Sequence, residues 1–277
     1  MALNVDFSTI IPTFRRPNEL LATIGSVVAQ RDIEWEIFVI DDCPDGSARH
    51  LVESLNDRRI NYIRNPKPSG GVPSSVRNLG WPLARGMFVH FLDDDDIVPE
   101  DHYATVKKAF LDHPEVGVVF GRVEPFGDVS EDQMQHERDF FAGAARRASI
   151  SGRFGPKWAF TARMMFNGLL LVTGAGVVRR ECVQALGGFD PAMRVREDWD
   201  FYARAMRRFG AHFLDRVALK YRISERSLLH YSVDLTETDL RYLTEARQRK
   251  RAKYRAERGA VEYYAVKLFA KTILTVL

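Results

Sequence analysis

The sequence predicts an α/β fold: a mostly parallel sheet flanked by helices, followed by a helical C-terminal extension. Three observations carry this prediction. Short β-branched runs alternate with longer segments of helical periodicity through the first half, the rhythm of parallel strands joined by crossover helices. Acidic, turn-rich clusters follow two of these runs, at the strand ends where open α/β sheets bind ligands. Beyond Thr236 the chain becomes rich in arginine and lysine and then apolar.

Taken in order, residues 7–11 read as the first strand, ended by Pro12. Residues 19–30 read as a helix, with Leu20, Leu21, Ile24, Val27 and Val28 at helical spacing. A second buried strand over 36–40 ends in Asp41-Asp42-Cys43-Pro44-Asp45-Gly46. The pattern continues as a helix over 48–55, a strand over 60–63, a Pro-Ser-Gly-Gly loop and a helix over 75–84. A strand over 87–92 then runs straight into Asp93-Asp94-Asp95-Asp96. Residues 116–123 read as a further strand, and 124–157 as a long, polar, weakly periodic insertion. Residues 169–178 return to a strand-like apolar run, and 197–209 form a helix whose two opening acids suit a positive helix N-terminus.

At 277 residues with 45% apolar side chains, the chain can bury a substantial core. Forty basic against 37 acidic side chains leave a net charge of +3, which excludes a nucleic-acid footprint over the whole molecule. Cys43 and Cys182 offer neither a disulfide framework nor metal-ligand spacing, as expected in a reducing compartment. The opening MALNVDFSTIIPTF lacks the pattern of a secretory signal, and no stretch of eighteen uncharged apolar residues occurs. The expectation is a cytoplasmic chain without a spanning helix.

Four consecutive aspartates beside an apolar strand repel one another, so burying them requires a compensating positive charge. A divalent cation meets that need. Hard carboxylate oxygens suit Mg2+ or Mn2+, and an ion held by one or two of them keeps positions free for a substrate diphosphate. The plainer reading is a solvated loop or helix cap; direct attachment to a strand end favours the ligand site. Asp41 and Asp42 can accept hydrogen bonds from a nucleobase or ribose, or form an Asx turn with Asp45-Gly46. Arg77, beyond Gly70-Gly71, is read either as a phosphate partner or as a surface arginine. In Glu197-Asp198-Trp199-Asp200 a carboxylate can act as general base toward an acceptor hydroxyl, or merely complement the helix dipole. Among Trp158, Phe160, Phe166, Trp199 and Tyr202, core packing is the expectation for most, with Trp199 the preferred acceptor contact.

Together these segments resemble the family 2 glycosyltransferases over roughly residues 7–230. Ile10-Ile11-Pro12-Thr13-Phe14 with Arg15 is similar to the family's opening strand and base-binding loop. Val39-Ile40-Asp41-Asp42 resembles its nucleotide-contacting acidic pair, and Val76-Arg77-Asn78-Leu79-Gly80 its phosphate-side helix. Asp93 to Asp95 resembles the Asp-x-Asp metal motif, and Gly187-Gly188-Phe189-Asp190 followed by Glu197-Asp198 the acceptor-side motif. The resemblance implies a GT-A fold, Rossmann-like, over residues 1–235, with a nucleotide-sugar half to about 122, an acceptor half from about 123, and an extension over 236–277. It implies a nucleotide-sugar donor, a UDP-sugar foremost, held by Pro12, Thr13, Phe14, Arg15, Asp41, Asp42, Arg77, Asp93 and Asp94. Mn2+ or Mg2+ would sit on Asp93 and Asp95, Asp198 would be the catalytic base, and Glu197, Trp199 and His230 would serve the acceptor or diphosphate. The implied reaction is direct displacement with inversion onto a glycan or lipid-linked acceptor in cell-surface polysaccharide synthesis. Phe14 stands where the family often has tyrosine, which keeps stacking and removes a hydroxyl.

Two alternatives belong to other classes. A sugar-nucleotide-forming nucleotidyltransferase would carry a glycine-rich phosphate loop near the first strand, and Pro12-Thr13-Phe14-Arg15-Arg16 has no glycine. A non-catalytic carbohydrate-binding relative would tolerate loss of Asp95 or Asp198, yet both acids are present. At the C-terminus, Arg241, Arg247, Arg249, Lys250, Arg251, Lys253, Arg255 and Arg258 outnumber Glu245 and Glu257, a balance that attracts anionic head groups. The apolar stretch after them, interrupted by Lys267 and Lys271, suits a helix lying in the interface at the inner face of the cell membrane. The same amphipathicity equally serves packing on the catalytic domain or a homodimer contact.

Overall fold

The computed structural model describes residues 5–224 and 237–276. Seven strands form one sheet: β1 (Phe7–Thr13), β2 (Trp35–Asp41), β3 (Ile60–Arg64), β4 (Phe88–Phe91), β5 (Val118–Phe126), β6 (Gly176–Arg179) and β7 (Ala211–Arg222). Their order is β3-β2-β1-β4-β6-β5-β7, and β6 alone runs against its neighbours. The helices are α1 (Pro17–Val28), α2 (Arg49–Ser54), α3 (Pro73–Gly80), α4 (His102–Asp112), α5 (Glu131–Gly152), α6 (Trp158–Ala162), α7 (Arg180–Leu186), α8 (Glu197–Phe209) and α9 (Glu237–Val276). Every residue of β2 and β4 is buried, as expected of strands covered on both faces. The mostly parallel sheet flanked by helices is the predicted class.

The detail that makes the site is at Pro12. The strand does not stop there: it continues to Thr13, whose carbonyl accepts from Asp42 N at 3.0 Å on the β2 side. On the β4 side, where proline has no N–H to give, pairing ends at Ile10↔Phe91. Strands β1 and β4 therefore part at their carboxyl ends. The strand order also reverses there, the position at which open α/β sheets form a ligand crevice.

Two expectations are corrected. The supposed insertion over 124–157 is ordered: β5 runs to Phe126, and α5 follows with 22 residues, capped by Ser130, whose Oγ accepts from Gln133 N at 3.2 Å. Its buried face is Met134, Glu137, Phe141, Ala144, Ala148 and Ser151, a strict alternation of three and four. Four of those six residues are Glu, Ala or Ser, so a count of large apolar side chains does not see the stripe. Second, the run over 169–178 is strand only from Gly176. Leu169, Leu170 and Leu171 are buried in irregular chain after Gly168 at φ 119°, and Thr173–Ala175 form a short 3-10 turn. Apolarity there reflects burial and not sheet pairing.

The extension is packed on the body, and α9 is kinked at Gly259 with φ 81°. Tyr254, Val266, Ala270 and Leu274 are buried, and Lys250 Nζ donates to Met164 O at 2.6 Å. Arg207 Nε pairs with Glu262 at 2.8 Å, and Arg249 Nε with Asp190 at 2.9 Å. Part of the basic run thus points inward. Among the described residues, no helix is long and apolar enough to cross a membrane.

Candidate active site

A cavity of about 360 Å3 opens where β1 and β4 part, lined by Pro12, Thr13, Phe14 and Arg16 from one side and by Asp93, Asp94 and Asp95 from the other. Asp42, the Gly70-Gly71 loop and Tyr221 of β7 complete it. The aspartate run alternates as an extended turn should. Asp94 and Asp96 are buried, while Asp93 and Asp95 are the partly open members.

Each buried acid has structural work. Asp94 accepts from Thr13 Oγ1 at 2.7 Å and Phe14 N at 3.3 Å, joining the two strand exits across the crevice. Burial pushes its carboxyl up to about 7, with the hydrogen bond from Thr13 opposing. Asp96 accepts from Arg222 N at 2.9 Å, while its second oxygen has no partner. Burial, then the neighbouring charges of Asp95 and Asp93, hold it well above the usual carboxylate range. Asp95 pairs with Arg16 and is also raised by burial. Four carboxyl groups, Asp42, Asp93, Asp94 and Asp95, therefore face this cavity against two cations, Arg16 and Arg77. Among the described residues no group of three His, Cys, Asp or Glu side chains converges on one point. From the described residues a divalent ion would be held by the hard oxygens of Asp93 and Asp95, with other positions left to phosphate oxygens and water, which is a fit for Mg2+ or Mn2+.

Several expected contacts are placed differently by the structure. Asp41 is fully buried and spent on its own turn, accepting from Cys43 N and Ala48 N at 2.9 Å each and from Tyr62 Oη at 3.0 Å. It does not line the cavity. Arg15, at φ 58°, turns its guanidinium over the Phe14 ring, and the arginines that line the cavity are Arg16 and Arg77. Arg77 is buried between Asp93 at 2.5 Å and Glu197 at 2.6 Å, with Nε unpartnered. Both ends of its fork are committed to carboxylates, so it acts as a clamp between the end of β4 and the start of α8. Glu197 is accordingly the anchor of that clamp and is itself buried. His230 lies outside the described residues.

Asp42 lines the cavity but is saturated: it accepts from Asn65 Nδ2 (2.6 Å), Ser69 N (2.9 Å), Ser69 Oγ (2.8 Å) and Gly71 N (2.7 Å). Burial would raise its carboxyl, yet these donors hold it below the usual range. Asp42 thus folds the Ser69-Gly70-Gly71 loop over the crevice. Replacing it with alanine strands the four donors and is expected to cost about 2–3 kcal/mol. Urea unfolding checks the stability, and faster proteolysis within 66–72 would report the released loop.

Asp198 stands at the first turn of α8 on the far side of the Arg77 clamp. Its oxygens accept from Trp199 N at 2.8 Å and Thr173 Oγ1 at 3.3 Å. Burial, then the charge of Glu197, push it up to about 7 against the pull of Arg77. The Gly187-Gly188-Phe189 turn sets this region against α3: Asn78 Nδ2 donates to Phe189 O at 2.8 Å and Phe189 N to Asn78 Oδ1 at 2.9 Å. A Cβ on Gly188, which adopts φ 76°, would collide with Asn78 and Trp81. Trp199 is half-buried, with Arg196 4.7 Å and Lys250 5.1 Å from its ring centroid. Phe160 and Tyr202 belong to the core, and Trp158 is surface-exposed.

Sequence reasoning missed Arg16 and Tyr221. Arg16 follows the strand-exit motif directly and was legible as the second of two arginines. Tyr221 reaches the cavity only because β7 lies next to β5, and no local pattern signals it.

This sheet order, with one antiparallel strand beside the crevice and open carboxylates at its mouth, defines the GT-A class of fold. The Glycosyl transferase family 2 profile matches residues 8–171, and the chain belongs to that family. An uncharacterized glycosyltransferase of Haemophilus influenzae is 23% identical over 72% of this chain and 61% of its own length. The putative colanic acid biosynthesis glycosyl transferase WcaA of Escherichia coli is 37% identical over 35% of this chain and 34% of its own. The UDP-Glc:alpha-D-GlcNAc-diphosphoundecaprenol beta-1,3-glucosyltransferase WfgD of Escherichia coli is 34% identical over 32% of this chain and 35% of its own. The chain thus spans from about a third to three fifths of these relatives. S. aureus TarS 1-349, solved in complex with UDP-GlcNAc, shares the fold at TM-score 0.62 and 17% identity, covering 96% of this chain and 79% of that one.

Proposed function

We propose that this chain moves a sugar from a nucleotide-diphosphate-sugar, a UDP-sugar foremost, onto an acceptor hydroxyl with inversion. The supporting observation is the Arg77 clamp, which ties the partly open Asp93 at the end of β4 to Glu197, the immediate neighbour of Asp198. Phe14 stacks on the base, and Arg16 with the Ser69-Gly70-Gly71 loop covers the phosphates. Asp93 and Asp95 hold Mn2+ or Mg2+, which when bound offsets the charge on the departing diphosphate as a Lewis acid. Asp198 takes the proton of the acceptor hydroxyl; the nearby Trp199 offers its ring to the acceptor. The relatives' names, with a UDP-sugar donor, a diphosphoundecaprenol acceptor and colanic acid synthesis among them, support a role in cell-surface glycan assembly.

A nucleotide-sugar screen by thermal shift tests this. A UDP-sugar at about 100 times its Kd should stabilise the protein by about 2.7 kcal/mol, and only with Mn2+ or Mg2+ present. No shift with any nucleotide-sugar would reject the reading.

We further propose that residues 236–277 seat the catalytic unit, residues 1–235, on the inner face of the cell membrane. Val261, Tyr264 and Leu268 are exposed on the face of α9 opposite its buried residues, and Lys267 and Lys271 lie on the same segment. The double variant Val261→Asp/Leu268→Asp should lose sedimentation with anionic liposomes and keep its melting temperature. Undiminished sedimentation would count against the membrane role.

A further inference from the structure

Against Trp199 lies a second cavity of about 290 Å3, between the 163–168 turn and α9, whose lining shares no residue with that of the donor crevice. Its charged lining is Arg196, Arg247, Lys250 and Arg251, and it contains no carboxylate among the described residues. None of the four makes an ion pair among the described residues. Cations that share a cavity wall with no carboxylate in direct contact are unusual, because each repels the others.

The pocket is held in shape. Lys250 is buried, and among the described residues its hydrogen bond is to Met164 O, leaving two of its three N–H groups for another acceptor. Arg251 leans on the Phe166 ring, 5.2 Å from its centroid, and its buried Nε has no partner. Arg196 occupies left-handed backbone at φ 57° while it covers Trp199. Strain of that kind in a non-glycine residue tends to gather at functional sites. Arg247 is exposed at the mouth, and Met164, Met165 and Phe166 supply an apolar wall. Burial, and then the neighbouring arginines against the pull of Asp200, bring the Lys250 amine down to about 7. Asp198 lies within electrostatic reach of both Arg196 and Lys250.

We propose that this pocket binds a diphosphate group carried by the acceptor, fixing its first sugar beside Asp198; the inference rests on the glycosyltransferase reading above. Four donors suit the several oxygens of a diphosphate, and the apolar wall suits the carbon chain of its ester. The basic segment of α9 is in this respect a recognition element for the acceptor.

The test is calorimetric titration of the full chain with inorganic pyrophosphate, at low salt and with a chelator present. Without a divalent ion the aspartates of the donor crevice repel the probe, so only the cationic pocket is read. Arg247→Gln/Arg251→Gln should weaken binding about 10-fold or more. Arg255→Gln, elsewhere on α9, should leave it unchanged. Neither Arg247 nor Arg251 is ion-paired, so the double variant should melt like the wild type. Tighter binding of farnesyl diphosphate than of pyrophosphate would identify a lipid-linked source, and equal binding a soluble one. Wild-type affinity in the folded double variant, or no binding by the wild type, overturns the proposal. Pyrophosphate binding in this pocket without any nucleotide-sugar response would reject the transferase reading alone; the converse would reject only the pocket.

Discussion

Asp198→Asn should reduce sugar transfer by about 10²–10⁴-fold while leaving donor binding intact, because asparagine keeps the shape and removes the proton acceptor. The side chain already accepts from Trp199 N and Thr173 Oγ1, and asparagine can retain one of these through its carbonyl. The wild-type pH profile supplies an independent check. Burial and the adjacent Glu197 raise this carboxyl to about 7, so it is protonated and idle below that pH. Transfer should therefore climb as pH rises through about 7 and level off above it, while residual transfer by the asparagine variant loses that step. Equal rates for the two proteins would remove Asp198 from the role of base.

The second large effect is structural. Arg77→Met should destabilise the fold by about 3–5 kcal/mol, the usual consequence of leaving one side of a buried ion pair uncompensated. Glu197 is buried with Arg77 as its cation, whereas Asp93 is partly open and suffers less. Adding Glu197→Gln to Arg77→Met should therefore recover much of the loss, since it removes the stranded charge. Urea unfolding of the two single variants and the double variant measures this, and strictly additive costs would contradict the clamp. Donor binding should weaken in the single variant as well, because Asp93 loses its anchor.

How much of this was legible varied with the range of the interactions. The strands of the first half, helix α8 over Glu197–Phe209, and the acidic turns at strand ends followed from periodicity and from local turn chemistry. Helix α5 did not, because four of the six residues in its buried stripe are Ala, Ser or Glu, which become interior only when β5 and β7 cover them. Arg77 shows the same limit at the site. One arginine on a helix looks alike whether it faces a phosphate or two carboxylates, and the choice was made by Glu197, 120 residues away.

By itself, then, the sequence determined the α/β class and the acidic residues at the crevice, since hydrophobic periodicity and turn residues act over a few neighbours. Tertiary structure decided which acids stay open, which cations are already spent, and that part of the basic tail lines a pocket beside Trp199. Those outcomes depend on burial and on charges brought together from distant segments, and neither exists until the sheet has closed.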